Sequence, residues 1–334
     1  MIASRAALQR AGGGPLARML VILPAALVVA ALPLWAPSLY VTNIAILALF
    51  FAVASTGLNI IYGYAGLLSF AQVGFWGLGG YASALIATEL GWSPWIAFLL
   101  AGLVAGVVAV MIGGLALRVS RDAFVIVSLS FTLLLQLLAR NWTGLTRGPM
   151  GIPGLPAPSV ALPFVGSLSG HDPKTFYWIA LAFAVAVLCL IHRILRSRIG
   201  RTLLAIKHDE ALARSQGISV IRYQLLAFVL SALLGGLAGG LYVFHLTIVD
   251  PTIFDAYYTQ MLLIIVILGG PGYFWPVLCA SAAVTVLPEI LRMAPDLRMV
   301  LFGFVLVVAI QFFPQGAGGY LAARNLRKWK APGR

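Results

Sequence analysis

Apolar runs of about twenty residues, the length of a bilayer crossing, follow one another along this chain and are separated by short breaks rich in charge, glycine or proline. About ten such runs can be marked, near residues 18–36, 40–62, 69–90, 94–117, 123–140, 175–193, 222–246, 257–269, 275–292 and 298–313. The runs at 123–140 and 257–269 are short enough to be re-entrant or partly buried. This pattern predicts an all-α, polytopic membrane protein with about ten transmembrane or partly re-entrant helices. No soluble domain of useful size can be cut from it.

Orientation follows from the basic residues between the runs. With both termini cytoplasmic, the inside segments hold Arg5, Arg10 and Arg18, then Arg118 and Arg121, then seven residues between 193 and 222, then Arg324, Arg327, Lys328, Lys330 and Arg334. Of the 22 basic residues, that leaves Arg140, Arg147, Lys174, Arg292 and Arg298 outside, an asymmetry that predicts an even number of spans. The run 19–35 behind the first three arginines is long for a signal core and lacks a small-residue cleavage site, so it reads as an uncleaved first span. The chain divides into a cytoplasmic tail (1–18), a transmembrane domain (19–316) and a basic cytoplasmic tail (317–334).

Composition agrees: 61% hydrophobic and 9% charged residues with a mean hydropathy of +1.01 describe a multi-span membrane protein. The net charge of +13 does not indicate a nucleic-acid partner, because the basic residues flank apolar runs and serve to orient them.

One interruption stands apart from the others. Residues 193–222 carry Arg193, Arg196, Arg198, Arg201, Lys207, Arg214 and Arg222 against Asp209 and Glu210. So long a cytoplasmic loop, made of helix-forming residues, suggests a docking surface for another protein. Gly200 and Gly217 bracket a proline-free stretch that predicts one helix of about four turns. Glu210 and Arg214 are spaced to pair on it, Gly217 suits a left-handed helix end, and Ile218 is placed to pack back as its cap.

Glycine breaks the apolar pattern at residues 57–84, where Asn59, Ser69 and Gln72 add amides and a hydroxyl. Such glycines either seat helices against each other or break a helix inside the membrane, and the polar groups must face protein or a cavity. A second cluster, Gly269, Gly270, Pro271 and Gly272, predicts a tight turn facing the cytoplasm and lacks the Lys and Ser/Thr of a phosphate loop. The external stretch 141–173 is too rich in Gly and Pro for a span and predicts a structured surface loop, placed to touch an extracytoplasmic partner.

Energy input is not visible in the chain itself. Glu89, Glu289, Asp250 and Asp255 lie at span ends and the other acidic residues in loops, whereas proton-relaying carriers bury a carboxylate in mid-membrane. His245 near an outer span end reads as a structural hydrogen-bonder. Cys189 and Cys279 fall in apolar runs and suggest neither a disulfide nor a metal site. No catalytic or metal-ligating constellation is recognisable.

GRTLLAIKHDEALARSQGI (200–218) resembles the cytoplasmic coupling segment of ABC-importer permeases, departing from the family's Glu-Ala-Ala core at Leu212. GLNIIYGYAGLLSFAQVGFWGLGGYASA, NWTGLTRGPMGIPG, RYQLLAFVLSALLGGLAGGLY and LFGFVLVVAIQFFPQG look like the branched-chain amino-acid permeases of the LivM type, over roughly residues 40–316. The resemblance implies a multi-pass subunit of a binding-protein-dependent ABC importer in the bacterial inner membrane. Its implied partners are a LivH-like permease, two ATPase subunits similar to LivG and LivF, a periplasmic or lipid-anchored binding protein and membrane lipid, with no nucleic acid. The chain would hold no cofactor and hydrolyse nothing; ATP and Mg would bind on the ATPase subunits. The carried cargo would be branched-chain amino acids or related small polar solutes. Carried onto this sequence, Gly200, Arg201, Glu210, Ala211, Gly217 and Ile218 would form the ATPase-coupling element. Asn59, Gly63, Gly66, Ser69 and Gln72 are candidates for the translocation path. The rivals are a stand-alone secondary carrier or channel, in which the basic loop only orients spans, and a non-transporting scaffold.

Overall fold

A backbone in hydrocarbon must satisfy its polar groups within itself, and the apolar runs therefore fold as helices. The computed structural model of the protein describes residues 38–162, 166–168, 170–290 and 316–320, with isolated positions at 32, 33, 303, 304, 307 and 311. The helices are α1 (Leu39–Leu58), continued by a π-helical stretch Asn59–Tyr64, α2 (Ala71–Thr88), α3 (Pro94–Ala116), α4 (Arg121–Asn141) and α5 (Pro173–Arg196). They are followed by α6 (Arg198–His208), α7 (Glu210–Ser215), α8 (Val220–Leu246), α9 (Ala256–Gly269) and α10 (Phe274–Ile290). Among the described residues, five helices are long and apolar enough to cross a membrane: α1 with its π-helical extension, α3, α4, α5 and α8. Apart from those isolated positions, the expected first and tenth runs lie outside the described residues.

The run expected at 69–90 becomes a helix only from Ala71, because residues 65–70 leave the helical path. The supposedly short run at 123–140 is a full 21-residue helix, α4. By contrast α9 has 14 residues, fewer than the roughly twenty a crossing needs.

Helices α1 and α8 form the centre, with 72% of their most apolar window buried, whereas α4 and α5 reach only 28%. Small residues explain how α8 gets so close to its neighbours. A side chain on Gly79 of α2 would lie 2.2 Å from the Gly236 carbonyl oxygen, and one on Gly239 would lie 1.9 Å from that of Trp76. Around this seam Trp76 stacks on Phe51 and Phe75 meets Phe228 edge-on, with ring centroids 5.7 and 5.3 Å apart. Cys189 and Cys279 are exposed on α5 and α10.

The predicted surface loop is ordered by short pairings. After one helical turn (Thr143–Thr146) the strand β1 (Ile152–Pro153) pairs with β4 (Ile248–Val249) at the end of α8, and β2 (Val160–Leu162) pairs with β3 (Gly166–Leu168). Gly151 permits the first pairing, since a side chain there would lie 2.2 Å from the Val249 carbonyl oxygen. At the same end His245 packs against Phe176 and Phe50. Gln136 donates to Asp255 over 2.9 Å, which ties α4 to the start of α9.

Candidate coupling and permeation elements

The basic island is two helices separated at Asp209, where the sequence suggested one. Ser197 ends α5 and caps α6: its hydroxyl donates to the Ile194 carbonyl and accepts from the Ile199 N–H. Gly200 is therefore inside α6 and not at its start. It is buried because the chain doubles back, and a Cβ there would lie 1.9 Å from the Leu195 carbonyl oxygen. Asp209 then takes an extended conformation, interrupts the helix, and caps α7 by accepting from Leu212 N–H at 2.9 Å. An aspartate offers the backbone this alternative to continued helix, and that competition is what the helix propensities alone concealed.

The far end of α7 closes as its residues suggest. Gly217 is left-handed with φ of 78°, its N–H donates to the Arg214 carbonyl, and the Ile218 N–H donates to the Ala213 carbonyl at 3.1 Å. This is the paired-bond helix end that a glycine at that position favours. Ile218 packs against a small cluster of Ile206, Ala213 and Val220, so α6, α7 and the start of α8 share one apolar kernel. Arg201 and Ala211 are exposed, as is the apolar Leu212, at 58% of its surface.

Glu210 joins this unit to the membrane helices. It accepts from Arg214 at 2.7 Å, the expected pair, and from Arg121 at the start of α4 at 2.9 Å. Partial burial pushes its pKa up, but the hydrogen bonds and charges of Arg214 and Arg121 outweigh that and hold the carboxyl below its ordinary value. The three side chains border a cavity of about 270 Å³ that Arg118 and Gln224 also line.

The glycine-rich region holds an interruption between α1 and α2 and a packing seam. After the π-helical stretch 59–64 the helical path is broken over residues 65–70, and the question is where the backbone groups around it find partners. Asn59 spans to the turn after α9, donating to the Tyr273 carbonyl at 3.0 Å and accepting from the Gly272 N–H at 2.8 Å. Gly63 makes room for this: a Cβ there would lie 1.9 Å from the Asn59 Oδ1 and 2.4 Å from the Gly272 nitrogen. At the other end of the break, Ser128 and Thr132 of α4 hold the Phe70 backbone. Its N–H donates to Ser128 Oγ and its carbonyl accepts from Thr132 Oγ1, both at 3.0 Å. Buried Ser69 accepts from the Ala71 N–H at the start of α2.

Gln72 lies in the seam beyond the break. Its amide donates to the Ala54 and Ser231 carbonyls at 3.0 and 3.2 Å, and its oxygen accepts from Ser231 Oγ at 2.6 Å. It thereby joins α1, α2 and α8. Gly57 and Gly235 flank it, each with a would-be Cβ close to the Gln72 nitrogen, at 2.6 and 3.1 Å.

One residue reaches the break from the basic island. Lys207 on α6 donates from Nζ to the Gly63 carbonyl at 2.7 Å. Its stem runs past Gly66, where a Cβ would lie 3.0 Å from Lys207 Cγ. Gly66 is left-handed as well, with φ of 78°. Sequence reasoning singled out Asn59, Gly63 and Gly66 but not Lys207, which looked like one of seven orienting charges. It also missed Ser128 and Thr132, although hydroxyls four apart in an apolar helix are a readable signal for backbone bonding to a neighbour. Among the described residues no cluster of His, Cys, Asp or Glu could hold a metal ion.

Comparison with known proteins agrees with this anatomy. The chain is 32% identical over 292 residues to the high-affinity branched-chain amino acid transport system permease protein LivM of Salmonella typhimurium, covering 82% of this chain and 69% of that protein. The Escherichia coli protein of the same name matches with the same identity and coverage. The corresponding LivH protein of Salmonella typhimurium is 25% identical over 216 residues. No solved structure matches the chain. The family model described as the branched-chain amino acid transport system permease component matches residues 40–310, a span that takes in the broken helix, the basic island and the α8 seam. The chain therefore belongs to the branched-chain amino acid transport permease family, as a multi-pass membrane component of the LivM type.

Proposed function

We propose that this chain is the inner-membrane permease subunit of a binding-protein-dependent ABC importer, with α6 and α7 as the surface that receives force from an ATPase subunit. The relatives' names point to branched-chain amino acids, and the proposed cargo is these or related small polar solutes. In this reading the chain pairs with a LivH-like permease and two ATPase subunits similar to LivG and LivF, which bind ATP and Mg, and it is supplied by an external binding protein. It has about ten transmembrane or partly re-entrant helices and both termini inside, and it hydrolyses nothing itself.

The observation that carries the proposal is the construction of α7. A six-residue helix on its own is too short to be stable in water. Here it is capped by Asp209, closed by Gly217 and Ile218, and bridged to α4 by Glu210, while Leu212 and Ala211 remain exposed at its surface. An exposed apolar side chain on a rigidly held cytoplasmic helix suits insertion into a groove on a partner. Gly200, Arg201, Glu210, Ala211, Gly217 and Ile218 thus act together, with Glu210 holding the element in place.

Glu210→Lys, or deletion of residues 205–213, is expected to leave membrane insertion intact and to uncouple ATP hydrolysis from uptake in proteoliposomes containing the whole complex. Normal uptake and substrate-stimulated hydrolysis in both variants would end the docking role. Uptake by the purified chain without ATPase subunits would favour the stand-alone carrier.

For Asn59, Gly63, Gly66, Ser69 and Gln72 the proposed role is at the translocation path, where a broken helix lets backbone groups face a solute. A second reading has a specific observation behind it: the Asn59 and Gln72 amides are engaged in bonds between helices. As braces they would shape the path without touching the solute. Gln72→Met separates the two, since a brace loses thermal stability of the complex and a lining residue changes solute affinity at unchanged stability.

A further inference from the structure

The end of α1 is a helix terminus whose last carbonyls lack partners within the helix, and such a terminus carries partial negative charge. Lys207 brings an ammonium to it from another element, at 2.7 Å from the Gly63 oxygen. We propose that Lys207 is the positioning residue through which movement of the α6–α7 unit reaches the broken segment of the membrane helix. The inference rests on the docking role assigned above to α6 and α7.

Three observations carry it. Lys207 follows Ile206, which is fully buried and shares its apolar cluster with Ala213 and Val220, so α6 and α7 shift as a body and Lys207 shifts with them. The lysine holds the break at two points, by its ammonium at Gly63 and by its stem against Gly66, where a left-handed glycine leaves room for it. The same helical turn is fixed by Asn59 to the 270–273 turn between α9 and α10. A displacement of α6 therefore draws on a stretch of backbone clamped between two elements, and the α9–α10 turn is next in line. Arg121 and Glu210 link the same unit to α4, whose Ser128 and Thr132 hold Phe70. The two ends of the break are thus connected to the cytoplasmic unit by separate routes, one direct and one through α4.

The test uses the complete importer in proteoliposomes, with uptake and ATP hydrolysis measured together. Lys207→Met keeps the stem and removes the ammonium. It is expected to lower solute moved per ATP by about tenfold, the size of one charge-assisted hydrogen bond, while substrate-stimulated hydrolysis persists. Lys207→Arg should recover most of the ratio, which a purely space-filling role would not require. If Lys207→Met fails to assemble, Lys207→Gln, which keeps an N–H donor without the charge, carries the same comparison. An unchanged ratio in an assembled variant overturns the proposal, as does failure of both variants to assemble, since that marks a folding role. The Glu210→Lys and 205–213 deletion variants run alongside: uncoupling in those with normal coupling in Lys207→Met removes the lysine's role and leaves docking intact. Normal coupling in those variants removes docking itself.

Discussion

Among the described residues, two helix ends finish on a left-handed glycine with φ of 78°, and they are closed differently. At Gly217 the chain closes its own end: the N–H groups of Gly217 and Ile218 return to carbonyls of α7, and a Cβ on the glycine would have nothing within 4 Å. At Gly66 the Ala65 and Leu67 N–H groups return to the Ile60 and Ile61 carbonyls, and the rest of the closure is borrowed. Lys207 caps the Gly63 carbonyl, Asn59 binds the 270–273 turn, and Ser128 and Thr132 hold Phe70. A left-handed glycine is thus a local stop at the end of α7 and part of a junction of four elements at the end of α1. A self-closed end can move as a unit without changing its own bonds, whereas the borrowed end must respond when any neighbour moves.

The strongest way to break the comparison is Gly63→Ala. The new methyl group would occupy the position of the Asn59 amide and the Gly272 N–H, so both Asn59 bonds must go. Two buried hydrogen bonds at about 1–3 kcal/mol each, with overpacking added, predict a loss of roughly 3 kcal/mol or more. The readout is the melting temperature of the purified complex in detergent or nanodiscs. A shift of only a degree or two would mean that the junction is looser than its distances imply.

A matched pair of alanines sharpens the contrast. Gly217→Ala meets only the left-handed backbone penalty, about 1 kcal/mol, and should lower transport less than the matching change at Gly66. Gly66→Ala meets the same penalty and also presses on the Lys207 stem at 3.0 Å, so it should cost more and lower uptake. Equal melting temperatures and equal uptake for the two would show that the borrowed closure has no functional weight.

The two ends were also unequally legible in the sequence. The self-closed end could be read from Glu210, Arg214, Gly217 and Ile218 because its partners are within five residues of one another. Its one surprise, the break at Asp209, comes from a side chain that competes locally for backbone N–H groups, a choice left open by propensity sums. At the other end, glycine density and a buried amide announced an interruption, but the partners are distant in sequence. Asn59 and Tyr273 are 214 positions apart, Lys207 and Gly63 144. Pattern and spacing report what a segment lacks internally, whereas tertiary packing decides which remote side chain supplies it. The run at 69–90 illustrates this limit, since its first residues are apolar enough for helix yet are held out of it by Ser128 and Thr132.

The smallest expected effect concerns the bridge that positions the self-closed element. Glu210 has a pKa held below the ordinary carboxylate value when α7 is docked, by Arg214 and Arg121 against the opposing effect of partial burial. A carboxylate depressed in the docked state contributes stability that is fully present above its undocked pKa and is lost as pH falls through the docked one. Docking of α7 should therefore be level through neutral pH and weaken only in acid. Both arginines are half exposed or more, so the change is modest and screened by salt. Hydrogen exchange at the Ala213 and Arg214 amides, corrected for intrinsic rates, should show protection falling on acidification. Asp209 caps the same helix in either protein, so the informative quantity is the difference from Glu210→Gln. That variant should begin at the lower protection already at neutral pH and converge with the native chain in acid, while the Ile218 amide, bonded to Ala213 without any charge, stays protected in both. Curves that remain parallel down to acid pH would assign the bridge no part in holding α7, and would leave its position to the Ile206, Ala213 and Val220 kernel alone.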